Sequence, residues 1–150
     1  CAILFRRPNI ESADRAIERI RAVKMGTLVA AGRDAPLKLA EALQKGQHVA
    51  MLVDQYMGNG VEVTFFGRKT KANPTLARLL RQVECPVHGV RIIRLPNHRF
   101  RAELSEEVKP VRDASGQIDV QGTMQAVTSV IEGWVREYPD QWLWLHRRWR

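Results

Sequence analysis

The apolar positions of the chain fall into alternating short runs and helical stripes. "CAILFRRP" is an apolar run stopped by Pro8 and reads as a strand. "NIESADRAIERIRAVKMG" then sets Ala13, Ile17 and Ile20 on one stripe between an Asn9 cap and a Gly26 stop, which predicts a helix. "TLVAAG" reads as a second strand, and "RDAPLKLAEALQKGQ" repeats the helical logic, with Asp34 as cap, Leu39 and Leu43 one turn apart and Gly46 at the end. "HVAMLVD" is a continuous apolar run of strand length, the pattern of a strand covered on both faces of a parallel sheet. Strand, helix, strand, helix, strand predicts an α/β fold with a mainly parallel central sheet flanked by helices.

Further along, "QYMGNG" reads as a loop, "VEVTFFG" as extended and "RKTKANP" as a basic, polar connection. "NPTLARLLRQ" opens a helix with Asn73 as cap and Pro74 in the first turn. "CPVHGVRIIRL", "PNH" and "RFRAEL" predict a strand, a tight turn and a returning strand, an antiparallel hairpin near residues 87–104. "SEEVKPVRDASGQID" is polar and loop-like. From Asp119 to Glu137, the spacing of Val120, Met124, Val127, Ile131 and Trp134 predicts a long amphipathic helix.

Composition narrows the partners. With 150 residues, 45% of them hydrophobic and 27% charged, the chain has the balance of one folded domain. Its net charge of +8 points to an anionic partner: nucleic acid, anionic lipid or an acidic carrier protein. Cys1 and Cys85 stand in no disulfide or metal-ligand spacing, so a reducing, cytosol-facing setting fits best. No apolar run approaches the roughly 20 residues that cross a bilayer. The chain opens on Cys inside an apolar strand, so sequence upstream is expected, and "CAILF" is expected to leave an unpaired, aggregation-prone sheet edge.

His98 and Glu103 have the spacing of a base and its orienting carboxylate. The alternation of Phe100, Ala102 and Leu104 with charged residues makes the segment a strand, however, and an offset of five puts the two on opposite faces. His48 and His88, at the starts of apolar strands, read as structural, and Cys85 as an inert thiol. Phosphate-loop and dinucleotide fingerprints are absent. Asp54 and Gln55 directly follow an apolar strand, at the edge where open α/β sheets build their sites; a turn-forming Asp is the equal alternative. Arg6 and Arg7 leave the end of another strand, where one could enter the same cleft to bind phosphate or a developing oxyanion, or both could be solvated. "RKTK", from Arg68 to Lys71, reads as a solvated loop.

"YPDQWLWLHRRWR" closes the chain. Its tryptophans and arginines suit stacking on nucleic acid, although no recognition element accompanies them. They equally suit a headgroup boundary. In a core role, Trp142, Leu145 and Trp149 would share one side of a short helix, leaving Arg147, Arg148 and Arg150 to face outward.

Together "DQ", "GNGVEVTFFGR", "NPTLARLL", "CPVHGVRI" and the closing phrase resemble the bacterial lipid A biosynthesis acyltransferases, the late lauroyl and myristoyl transferases, along nearly the whole chain. Their wider relatives are the glycerolipid acyltransferases. The resemblance implies transfer of a fatty acyl group from acyl carrier protein to a hydroxyl of a phosphorylated, acylated glucosamine disaccharide, at the cytoplasmic face of the inner membrane. It implies no metal or organic cofactor. By the "RRP" match, Arg6 or Arg7 is the active-site arginine; by the "DQ" match, Asp54 helps hold that arginine and the substrate, with Gln55 beside it. Gly60, Phe65, Phe66 and Gly67 would shape the acceptor or acyl cleft, and Arg147, Arg148 and Arg150 would turn toward the anionic membrane or the lipid phosphates.

The actinobacterial phosphatidylinositol mannoside acyltransferases share much of the pattern, and a basic nucleic-acid binder is the reading from another class. The family's His-x-x-x-x-Asp/Glu base motif and its membrane helix are expected upstream of "RRP", which makes this chain the C-terminal portion of a single acyltransferase domain. The isolated 150 residues are therefore expected to be inactive; measurable acyl transfer by them in a carrier-protein assay would overturn that.

Overall fold

The computed structural model describes residues 1–7, 19–20 and 26–150, arranged as two compact units, residues 1–52 and 53–150. The helix expected from Asn9 to Gly26 lies outside the described residues apart from Arg19 and Ile20, which are helical, and Gly26, which has φ 80°.

In the first unit β1 (Ala2–Phe5) is the middle strand of a parallel sheet, flanked by β2 (Thr27–Ala30) and β3 (Val49–Ala50). Ala2 pairs with Thr27 on one side and with Val49 on the other. Ala2 and Ile3 are thus paired on both sides, while Leu4 and Phe5 pair with β2 alone, so among the described residues the edge strands of this sheet are β2 and β3 and not the "CAILF" strand. Helix α1 (Ala35–Gln44) links β2 to β3 and buries Ala35, Leu39, Ala40 and Ala42. Asp34 stands at its N-cap but makes no side-chain cap and pairs instead with Lys38 at 2.5 Å. Gly46, at φ +72°, ends α1 as its spacing predicted: Gly46 N donates to Leu43 O and Gln47 N to Ala42 O, satisfying the last carbonyls. The "HVAMLVD" strand is shorter than its apolar length implied. Two residues pair, Ala50 is exposed and Leu52 is 76% exposed, so this strand is not covered on both faces.

The second unit is built around α3 (Val120–Glu137), the long helix foreseen from periodicity, capped by Asp119 Oδ1 accepting from Gln121 N at 3.0 Å. One stripe of α3, namely Met124, Val127, Ile131 and Val135, packs with Val63, Phe65 and Ala72 of a hairpin and with Ala77 of α2 (Thr75–Gln82). Its far end meets a second hairpin, β6 (His88–Leu95) with β7 (Arg99–Glu107), the antiparallel pair expected near residues 87–104. Gly89 is required there, since a Cβ would stand 2.5 Å from the Trp134 ring. Asn97 and His98 turn this hairpin in left-handed conformations.

The first hairpin revises the reading of residues 55–72. Strand β4 (Tyr56–Phe65) pairs antiparallel with β5 (Arg68–Ala72), so "QYMGNG" belongs to a strand and "RKTKANP" contains one. The basic look of β5 is its outer face: Lys69 and Lys71 are exposed, while Thr70 and Ala72 are buried. Both Tyr56 and Val61 face Ala72, and Met57–Gly60 bulge out between them. Gly60 permits this, because a Cβ there would lie 2.1 Å from Ala72 O. Phe66 and Gly67 form the two-residue turn, both left-handed, at φ 51° and 71°. That conformation is strained for Phe. It is held by Phe66 N donating to Glu132 Oε2 at 2.7 Å and by Arg136 lying 4.5 Å over the ring.

Two outcomes follow from this unit. Gly60→Ala should disrupt the β4/β5 hairpin and cost far more in denaturant unfolding than Gly46→Ala, where nothing crowds the Cβ and only the positive φ opposes substitution, about 1 kcal/mol; equal losses would place the constraint in φ alone. The hydrogen bond from Phe66 N holds the Glu132 carboxyl below its ordinary value of 4.5, so its stabilisation is present above that pH and lost as the pH falls through the lower folded value. Unfolding curves of Glu132→Gln should therefore fall less steeply on acidification than those of the parent.

Candidate functional site

Asp54 follows β3 by four residues and is the second residue of the second unit. Its Oδ1 is buried and has no hydrogen-bond partner among the described residues. An unpaired buried carboxylate oxygen is costly, so a nearby cation must offset it. Arg148 is a buried cation whose charge Asp54 influences. It is 2% exposed, its Nη1 donates to Lys71 O at 2.9 Å, and its guanidinium stands 5.5 Å over the Phe65 ring. Burial pushes its pKa down, and the charge of Asp54 opposes that shift. A guanidinium so placed stays protonated.

This placement corrects the expectation that Arg148 faces outward with Arg147 and Arg150, both of which are exposed. The cause is the shape of the tail. After a short 3-10 turn at Pro139–Gln141 the chain is not helical, so no single helix face sorts tryptophan from arginine. Leu145, expected inside, is 91% exposed. The tail instead runs against the first hairpin: the Arg148 carbonyl accepts from Thr70 Oγ1, and Trp149 Nε1 donates to Phe65 O at 3.1 Å. Trp149 stacks on Phe65 at 5.5 Å between centroids, and Trp142 lies 6.0 Å away, so the core role expected of these two tryptophans is seen.

The other expected site residues are distributed as follows. Arg6 and Arg7 follow β1 in the first unit and are exposed. Gln55 and Gly67 are exposed, and Phe66 is half-buried. Gly60 sits in the β4 bulge. Phe65 is fully buried, its ring enclosed by Phe66, Trp142, Trp149 and Arg148. Around this cluster stand further cations: Arg68 lies 5.4 Å over Trp149 and Arg150 lies 5.3 Å over Tyr56. The surface of the second unit here is basic and aromatic, able to meet phosphate through guanidinium groups and apolar chains through rings.

His146, in the closing stretch, was given no role from the sequence. Its Nε2 accepts from Tyr56 N at 3.0 Å, which fixes the proton of the neutral ring on Nδ1. The signal was its alternation with Arg148 and Arg150, two residues apart, in a stretch read as helical.

The residues set aside as structural behave so. Glu103 is engaged by Arg91 and Arg101, while His98 lies in the turn. His88 Nδ1 is 3.1 Å from Ser105 O, and burial pushes the Cys85 thiol up, away from thiolate chemistry. Among the described residues no group of three or more His, Cys, Asp or Glu could hold a metal, and no helix is long and apolar enough to cross a membrane.

The family model for bacterial lipid A biosynthesis acyltransferases matches residues 1–150. No curated protein gives a significant match. The fold is α/β as the hydrophobic pattern predicted, with a parallel sheet in the first unit and the β6/β7 hairpin in the second. The chain belongs to the bacterial lipid A biosynthesis acyltransferase family.

Proposed function

We propose that the protein transfers a fatty acyl group from acyl carrier protein to a hydroxyl of a phosphorylated, acylated glucosamine disaccharide, at the cytoplasmic face of the inner membrane. The observation that carries this reading is the family match over residues 1–150. Charge supports it: the donor protein is acidic, the acceptor and the membrane surface carry phosphates, and this chain carries +8.

In the reaction the acceptor hydroxyl oxygen attacks the thioester carbonyl, forming a C–O bond. The C–S bond then breaks, and the hydroxyl proton ends on the departing carrier thiol. Between these events an oxyanion develops that a guanidinium can stabilise. Arg6 or Arg7 fills that role or holds acceptor phosphate, and Asp54 helps order the substrate. Gln55, Gly67 and Arg147 are exposed for substrate contact, whereas Phe65 and Arg148 act from beneath as support.

The test is steady-state acyl transfer by the intact gene product, with lauroyl- or myristoyl-loaded carrier protein as donor and the phosphorylated disaccharide as acceptor. Turnover should require both. One of Arg6→Ala and Arg7→Ala should lower kcat roughly 10²- to 10³-fold, and small, equal effects of both would remove the arginine from the chemistry. Turnover of a phosphatidylinositol mannoside in place of the disaccharide would reassign the acceptor. Tight RNA binding at near-physiological salt, with no affinity for anionic vesicles, would overturn the enzyme reading.

A further inference from the structure

Within the second unit the closing stretch holds three large apolar side chains in water, one after another: Leu143, Trp144 and Leu145 are 67%, 52% and 91% exposed. Each forgoes the stabilisation that burial of a large apolar side chain brings. Both ends of this loop are fixed to the first hairpin, by Trp142 against Phe65 and by the His146 ring accepting from Tyr56 N. Between those ends Trp144 N donates to Trp142 O at 2.9 Å, His146 N to Leu143 O at 3.1 Å and the Trp144 indole to Pro139 O at 2.6 Å. Groups bonded in this way need no water, which lowers the cost of entering a poorly hydrated layer.

The surroundings of the loop are aromatic and cationic. The Trp144 ring lies 6.4 Å from that of Phe66 in the β4/β5 turn, and Arg136 stands 4.5 Å over Phe66. Phe66 also meets Trp149, over which Arg68 lies. Arg68, Arg136, Arg147 and Arg150 are all exposed, and from Gln141 to Arg150 the chain has no acidic residue. Glu132 is paired with Arg136, and Asp140 lies before the loop. Apolar tips, an indole and a rim of guanidinium groups are the set that settles at the boundary of an anionic bilayer, with the tips among acyl chains and the cations at phosphates. The exposed Val90, Ile92 and Leu104 of the β6/β7 hairpin lack such a rim, since Glu106 and Glu107 follow Leu104 in the same strand.

We propose that Leu143, Trp144 and Leu145 form a membrane-seating loop, entering the acyl boundary of an anionic bilayer while Arg68, Arg136 and Arg147 meet the headgroup phosphates. This rests on the reading that the protein works at a membrane face, and it names the residues that seat it there. A loop already fixed at both ends loses little ordering entropy on entry, so its apolar contacts count toward binding.

The experiment uses the intact gene product with vesicles of phosphatidylglycerol brominated on its acyl chains, and its first readout needs no turnover. Bromine quenches indoles that reach it, so the parent should be quenched and Trp144→Phe should lose most of that quenching. In the acyl-transfer assay, Leu143→Ser together with Leu145→Ser should raise KM for acceptor presented in anionic vesicles roughly 10- to 100-fold, with kcat within about twofold. Ile92→Ser, a comparable loss of exposed apolar surface on the β6/β7 hairpin, should leave KM unchanged. Arg147→Gln should raise KM about fivefold in anionic vesicles and not in phosphatidylcholine alone. Equal quenching of parent and Trp144→Phe, an unchanged KM in the double serine variant, or an equal KM effect of Ile92→Ser would each overturn this proposal alone. Selective quenching of Trp144 without any acyl transfer would uphold the loop and overturn the proposed reaction. A Trp144-dependent fluorescence change on adding acyl carrier protein without vesicles, with no quenching by brominated lipid, would assign the loop to the carrier instead. Should Trp144→Phe fail to fold, the serine variants at the two exposed leucines carry the comparison.

Discussion

Phe65 is the residue through which the second unit is held together. It ends β4, is fully buried, and lies in the core cluster with Met124, Val127 and Ile131 of α3 while Trp149 stacks on its ring. A buried aromatic ring of this kind removes a large apolar area from water and adds edge and stacking contacts worth about 0.5–1.5 kcal/mol each. Its main chain takes part as well, since its carbonyl accepts from the Trp149 indole. Helix, hairpin and tail thus share one side chain. The position of the tail follows from it, and so does the burial of Arg148, the residue next to Trp149.

The same anchor explains why a strained turn persists. Phe66 occupies a left-handed conformation that a bulky side chain avoids, and the adjoining Gly67 occupies one it adopts freely. A carboxylate on α3 accepts the Phe66 amide, and the ring lies edge-on to Phe65 at 4.8 Å. The strain is therefore offset by tertiary contacts, and the turn is fixed relative to α3. A rigid turn beside exposed cations is a better platform for a phosphorylated lipid than a mobile one, because less ordering entropy is lost on binding.

How much of this the sequence disclosed depended on which physical signal governed each segment. Helix α3 was legible because its apolar stripe is long and its cap is an Asp, so local propensity and tertiary packing agree. The β6/β7 hairpin was legible from alternation around a turn. Strand β5 was not, because its inward residues are the small Thr70 and Ala72, and three Lys or Arg side chains set the average polarity. The β4 bulge was hidden for a related reason: two glycines suggested a loop, whereas Gly60 serves a close backbone approach. In the first unit, the "HVAMLVD" run was overread because an apolar run gives the length available to a strand, not the length that finds a partner.

The candidate site was half legible on the same terms. Asp54 stands out in sequence by its place after an apolar run, and in the structure it lies four residues beyond the end of β3. Arg148 does not, since arginine beside arginine beside tryptophan reads as solvated charge on any periodic template. Its burial is imposed from a distance, by a hydroxyl at Thr70, a carbonyl at Lys71 and the face of Phe65, all about eighty residues away in the chain. A closing phrase specific enough to mark a family need not do so for chemical reasons alone. In this chain Trp142 and Trp149 pack on the core and Arg148 is buried against the hairpin while Arg147 and Arg150 meet water, so substitution of the three inward residues is opposed by packing. Packing alone can therefore constrain such a segment, whether or not it touches substrate.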